Sequence, residues 1–369
     1  VTGPGQHRAD GPEQAHPDDE RQTTAVIGSA GGRRPRRAGG RRKHGPGIEQ
    51  VVPDAEFTSY YGRPIVKAAP WEHDIPAYLF SGGLAAGSAL VAAGADLTGR
   101  PQLRRTSRLG ALVALAFSGA ALVHDLGKPS RFVNMLRVAK LTSPMSVGTW
   151  ILTGYAPGAG LAGLAELLDL VPADRRRDGV LGSASRVLSW VDRPAGLWGA
   201  LFGPPLAAYT AVLLSDTATP SWHESYRELP FVFVGSAAAA SAGLGLIGAP
   251  VHETGPVRRL AVGGAVLELV AEHRMERSMG ITAEPLHEGR AGRLMRAAKV
   301  LTAAGAVGAA LSGRSRALGV LSGAALMAGS ACTRFGVFEA GIESANDPKY
   351  TVVPQRERLA REGPRHFPE

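Results

Sequence analysis

Between about residues 70 and 340 the chain is a succession of apolar runs rich in Ala, Gly, Leu and Val. Each run is near the length that a helix needs to cross a lipid bilayer. At 1.5 Å per residue, ~30 Å of hydrocarbon takes about 20 residues. Backbone polar groups inside hydrocarbon must bond within the chain, so runs of this kind can only be helices. We place the spans at Ile75–Leu97, Leu109–Leu126, Val147–Val171, Ala195–Leu214, Pro230–Ala249, Val257–His273, Leu294–Leu311 and Ala317–Cys332. The sixth and eighth are short and the sixth carries charge, so seven and nine are the neighbouring counts. The expected fold is an all-α, polytopic membrane helix bundle of about eight transmembrane helices, occupying residues 70–340.

Average composition conceals this pattern. A mean hydropathy of -0.01 and 20% charged residues resemble a soluble chain, because polar ends dilute the apolar middle. Residues 1–69 form a basic segment, with Arg33, Arg34, Arg36, Arg37, Arg41, Arg42 and Lys43 set among Gly, Pro and Gln. It offers too little apolar surface to offset its ordering entropy and is expected to be a disordered tail. Residues 341–369 are expected to be a second polar tail. No apolar stretch follows the arginines, so the segment does not read as a signal peptide. The net charge of +9 lies in the tail and in short loops, where membrane proteins keep positive charge, and not on a nucleic-acid-binding surface. The single cysteine, Cys332, excludes intrachain disulfides, an iron–sulfur cluster ligated by this chain alone and Cys-rich zinc sites.

Small residues crowd the spans, as in Ser81-Gly82-Gly83-Leu84-Ala85-Ala86-Gly87. In lipid they let helices approach closely, where packing drives association. Pro157 and Pro204-Pro205 fall inside the third and fourth spans and should kink them.

With eight spans both ends of the bundle domain share one face, here face A. His124 and Asp125 end the second span there, followed by Lys128 and Arg131. His73 and Tyr78 begin the first span, Trp222 and His223 follow the fourth, and Glu268, Glu272 and His273 approach A along the sixth. Polar helix ends occur in every membrane protein, so for any single residue this can be a solvated end; the gathering on one face suggests a site. Asp96, Glu166 and Asp169 at the opposite face B read as ordinary helix ends. Glu268 lies about one and a half turns inside its span, where an unpaired charge costs at least ~2.5 kcal/mol. It should face the bundle interior, either as a proton relay or ligand contact or as a salt bridge between helices. Trp71, Tyr78, Trp150, Trp190, Trp198, Trp222 and Tyr226 read mostly as an interfacial belt. Axial haem ligation needs His on facing helices; only His124 and His273 come near, at the extreme ends of spans. No metal or haem is expected in this chain.

Asp74-Ile75-Pro76-Ala77-Tyr78-Leu79-Phe80-Ser81-Gly82-Gly83-Leu84-Ala85-Ala86-Gly87-Ser88 resembles the first helix of the NrfD/polysulfide-reductase membrane-subunit family. His124-Asp125-Leu126-Gly127-Lys128-Pro129-Ser130-Arg131-Phe132, Asn134-Met135-Leu136 and Thr142-Ser143-Pro144-Met145-Ser146-Val147-Gly148-Thr149-Trp150 resemble its next signature. Tyr209-Thr210, Leu213-Leu214-Ser215-Asp216-Thr217, Ala340-Gly341-Ile342-Glu343-Ser344-Ala345 and Asp347-Pro348-Lys349-Tyr350-Thr351-Val352 add further matches. The resemblance spans about residues 70–360. The Asp-Leu-Gly-Lys-Pro-Ser-Arg-Phe and Ser-Pro-Met-Ser blocks are specific together; the long basic tail departs from the pattern.

The resemblance implies a multi-pass cell-membrane subunit, not catalytic alone, that anchors an iron–sulfur (ferredoxin-like) protein and, through it, a molybdopterin catalytic subunit. Formate dehydrogenases and polysulfide reductases of anaerobic respiration are built this way. It implies electron exchange with a membrane quinone, menaquinone or ubiquinone. On that reading His73, Tyr78, His124, Asp125 and Glu268 bind quinone or relay its protons. Lys128, Arg131, Ser143, Met145, Trp222 and His223 belong to the partner-docking loops. Asp125, Lys128 and Arg131 rest on matching motifs, whereas His73, Tyr78 and Glu268 rest on position. A secondary transporter and a purely structural anchor are the alternatives; a transporter should place its polar residues near mid-membrane. Loop charge leans towards B as the inner face and the basic tail towards A; we expect A to face the cytoplasm.

Overall fold

The computed structural model describes residues 63–128, 130–174 and 179–362. Most of the basic segment (1–62), Pro129 of the second signature and the end of the polar tail (363–369) lie outside the described residues. Eight long helices follow in order: α1 (Asp74–Leu97), α2 (Pro101–Asp125), α3 (Pro144–Asp169), α4 (Gly179–Ser215), α5 (Leu229–Gly248), α6 (Gly255–Ser278), α7 (Gly289–Leu311) and α8 (Arg316–Asn346). A ninth, α9 (Lys349–Glu362), follows outside the bundle's length, and there is no strand among the described residues.

The helices form two rings. In the first, α1 packs on α2, α2 on α3, α3 on α4 and α4 back on α1; in the second, α5 packs on α6, α6 on α7, α7 on α8 and α8 back on α5. The rings meet chiefly where α5 lies against α1 and α4. Glycines set the closest approaches. A Cβ on Gly158 of α3 would lie 2.6 Å from the Gly199 nitrogen of α4, and one on Gly235 of α5 would lie 2.6 Å from the Glu268 nitrogen of α6. No side chain fits at either crossing, so the abundance of small residues follows from backbone proximity. Val113, Phe117, Leu201, Val300, Val307 and Leu321 are instead exposed, which in water would be an aggregation hazard and here supplies the lipid-facing side.

Seven of these helices are both long and apolar enough to cross a membrane. The exception is α6, which at 24 residues has the length but carries Arg258, Arg259, Glu268, Glu272 and Glu276. It nevertheless passes from end to end. Glu253, just before it, accepts a hydrogen bond from the Leu103 amide at face B (2.8 Å), and Ser278 at its other end donates to Glu228 at face A (3.2 Å). The chain thus traverses the bundle eight times, and the protein is a multi-pass membrane protein of all-α architecture.

Two helices outrun the apolar runs that announce them. α4 begins at Gly179 and spans 37 residues, continuing through Pro194, Pro204 and Pro205. Its early turns carry Asp192, which accepts from Arg108 of α2 at 3.0 Å. α8 continues to Asn346, so the domain boundary placed at 340 falls inside a helix, and part of the expected polar tail is α9. At face B, buried Glu166 accepts from Arg104 (2.8 Å), Arg108 (3.3 Å) and Arg105 (3.4 Å), while Asp96 accepts from Arg104 (3.2 Å) and pairs with Arg193 (3.3 Å). Asp96 and Glu166 are therefore the ties that join α1, α2, α3 and α4 at that end.

Eight passes leave residues 63–73 and α9 at the same end of the bundle, with His73 near Glu339 (3.8 Å) and Lys349 against Glu284 (2.9 Å). Topology reporters fused at Lys67 and after Tyr350 should therefore give matching signals in intact cells. Opposite signals would require an odd number of crossings and would break the grouping of polar residues on face A.

Candidate functional site

α2 stops where it does because Gly127 adopts a left-handed backbone (φ 67°), a conformation that ends helices and favours glycine. Its amide bonds the His124 carbonyl at 3.0 Å, leaving Asp125 as the last helical residue. The chain then turns through the short helix Arg131–Met135 and re-enters the bundle at Pro144, in the first turn of α3, where proline's missing N–H is harmless. This loop, with the ends of α1, α2, α3 and α4, encloses a cavity of about 200 Å³ at face A.

The wall is mainly apolar: Trp71, Ile75, Leu79, Leu122, Leu126, Met135, Met145, Leu152, Leu213 and Leu214. Its polar members are Tyr78, Asp125, Arg131, Thr149 and Tyr209. Asp125 is half-buried and forms no ion pair among the described residues. Arg131 donates instead to the Leu126 carbonyl (3.2 Å), which holds its guanidinium against the cavity wall. Thr149 donates to the Met145 carbonyl at 2.9 Å. Trp71 is backed by an aromatic stack, with its ring centroid 5.9 Å from Trp222, which lies 5.5 Å from Phe338. An apolar chamber with a few convergent polar groups suits a small, flat, mostly apolar ligand with polar edges.

Of the residues expected in a site, Tyr78, Asp125, Arg131 and Met145 share this cavity. His124 is exposed and points to Asp74, its Nδ1 2.6 Å from the carboxylate. His73 is exposed beside Glu339. Lys128 is exposed on the loop, and Ser143 precedes α3 and lines a shallow neighbouring groove with Met145. His223 lines a separate surface cleft with Asp216 and Tyr350. Trp222 is buried, donating to the Val337 carbonyl at 2.8 Å, so its indole is packing within the bundle and not a docking surface. Glu268 lies in the second ring, away from the cavity, with Thr333 donating to its Oε1 at 2.7 Å. Just outside the bundle, Lys349 and the Tyr350 hydroxyl both bond Glu284, and the ammonium holds that carboxyl below its usual range.

Sequence reasoning gave no site role to Thr149, Tyr209 or Arg334. The first two were visible inside the family-like blocks but read as part of apolar spans. Arg334 lies two residues past the expected end of the last span, Cys332. It is instead fully buried, donating to the carbonyls of Phe233 (2.7 Å) and Leu79 (3.3 Å) and stacking over the Phe233 ring at 3.7 Å. Among the described residues no group of three or more His, Cys, Asp or Glu is placed to hold a metal ion.

The fold and the cavity define a polytopic membrane bundle with a mainly apolar chamber at one end. The family described as polysulphide reductase, NrfD, matches residues 65–252, from the segment before α1 through the end of α5. The chain belongs to that family, whose members are membrane subunits of molybdoenzyme complexes. The matched region contains every residue of the cavity; α6–α8 and the Ala340–Val352 blocks lie beyond it. No curated protein matches the chain.

Proposed function

We propose that this chain is the quinone-interacting anchor of a molybdopterin/iron–sulfur oxidoreductase, of formate dehydrogenase or polysulfide reductase type, and that the face A cavity holds the quinone ring. The carrying observation is Asp125: a carboxylate without an ion-pair partner among the described residues, at the rim of an apolar chamber, with the Arg131 guanidinium on the same wall. Oxidising a quinol releases two electrons and two protons, and reduction takes up the same numbers. The electrons pass to or from an iron–sulfur partner docked on face A. The protons need an acid–base group between ring and water, which Asp125 supplies, with His124 and Asp74 beside it on the solvent side. Arg131 offers N–H donors to a ring carbonyl, and Tyr78, Thr149 and Tyr209 fix the ring's orientation. Lys128, Ser143 and Met145 on the loop, with His73 and His223 around it, form the docking face for the partner. Menaquinone and ubiquinone both fit this chemistry.

Binding is testable without the partner. A short-tailed quinone titrated into the purified chain should quench tryptophan fluorescence saturably, because Trp71 lines the cavity. Thr149→Phe fills the chamber and should abolish saturation while helix content and melting stay near wild type. Equal binding by Thr149→Phe would place the quinone elsewhere.

A further inference from the structure

We propose that the second ring holds a proton-binding site centred on Glu268, which exchanges with water at face A through Glu272, Lys299 and Glu276. This is separate from the cavity and stands whatever the cavity binds. Glu268, Glu272 and Glu276 recur at every fourth residue of α6, so their side chains share one face, about 5.4 Å apart per turn. That face meets α7 and α8. Thr333 of α8 donates to Glu268 Oε1 (2.7 Å), and Lys299 of α7 lies 3.6 Å from Glu272 and 2.7 Å from Glu276. His287, half-exposed in the α6–α7 connection, lies 4.0 Å from Glu276 and ends the row at solvent.

What marks the row as a path and not a brace is the set of atoms left over. Glu268 Oε2, Glu272 Oε1, Thr302 Oγ1 and Arg334 Nη1 are buried and form no hydrogen bond among the described residues, and each of these residues is only 1% exposed. Thr302 belongs to the same group: it stands one turn from Lys299 on α7 and faces Gly329, one turn from Thr333. Buried polar atoms are nearly always satisfied, and a cluster that is not calls for water or an exchangeable proton. A salt bridge reaches only one of these atoms, Glu272 Oε1, from Lys299 at 3.6 Å, beyond hydrogen-bond distance. Arg334 forms no ion pair with Glu268; its bonds go to the carbonyls of Leu79 and Phe233. The transfer itself is simple: an O–H bond forms at one carboxylate as another breaks at its neighbour, with water between, and no electron moves. Arg334 above, Lys299 below and His287 at the exit are the charges that face the row.

Infrared spectroscopy of the full chain in lipid nanodiscs tests this directly. A protonated buried carboxyl gives its own C=O band, which should vanish in Glu268→Gln and shift in Thr333→Val, where only its hydrogen-bond donor is lost. In Glu272→Gln the band should remain but exchange its proton for deuterium more slowly by roughly a hundredfold, the lower end of what a positioned acid–base group contributes. A Thr333→Val spectrum identical to wild type, or unchanged exchange in Glu272→Gln, overturns the proposal, and Thr333→Val decides it if Glu268→Gln does not fold.

Discussion

Asp125→Asn is expected to assemble with its iron–sulfur partner and to lose electron transfer to quinone by ~10²–10⁴-fold, the range for removal of a general acid or base. The substitution keeps the shape of the side chain and deletes only its capacity to hold a proton. Neither Lys128 nor Arg131 forms an ion pair with Asp125, and Arg131 is already engaged with the Leu126 carbonyl, so the variant should not disturb the loop. Activity with a soluble dye, which draws electrons from the partner subunits directly, should therefore survive in the membrane fraction. A parallel fall of both activities would show that Asp125 holds the docking loop in place. Near-normal quinone activity would sink the site and leave an anchor only.

The second large effect is expected on stability. Arg334→Leu should destabilise the bundle by about 3–6 kcal/mol, since it deletes two buried hydrogen bonds from a charged donor at roughly 1.5–3 kcal/mol each. The guanidinium joins α8 to Leu79 of α1 and Phe233 of α5, and its plane lies on the Phe233 ring. It is thus the one buried cation among the described residues that bonds both rings. Arg334→Lys should not restore the loss, since a single ammonium cannot reproduce the planar fork or the stacking. Thermal unfolding in detergent, followed through buried Trp222, measures the effect. A melting curve for Arg334→Leu indistinguishable from wild type would mean that the rings hold together without it.

Much of this architecture was legible because lipid removes choices from the chain. A run such as Pro230–Ala249 has one conformation open to it, and α5 occupies Leu229–Gly248. Legibility failed where charge entered a helix. Asp192 and Arg193 look like loop residues, yet they extend α4 because Arg108 and Asp96 await them at face B. Thr333 and Arg334 look like an exit from the membrane, yet α8 runs on because the second ring surrounds them. The same limit applied to the site. Asp125, Arg131, Tyr78 and Met145 were each readable as polar or motif residues at face A. Nothing local shows that ring closure sets Tyr209 of α4 beside Thr149 of α3 while sending Glu268 into the other ring.

The ion network at face B also sets an interval between charged residues that bears on membrane thickness. On α1 the charged limits are Asp74 and Asp96, about 33 Å apart along a helix at 1.5 Å per residue. On α2 Arg104, which bonds Asp96, and Asp125 lie about 32 Å apart by the same rise. The Asp96–Arg104 pair thus lies nearly the same distance from face A along both helices, close to the ~30 Å hydrocarbon core of a typical bilayer. Because Arg104 is bonded to Asp96 and Glu166 together, it is not free to snorkel when the lipid thickens. A thicker bilayer must compress around the protein, at a fraction of a kcal/mol per Å, so lipid chain length becomes a variable to which this bundle is mechanically sensitive.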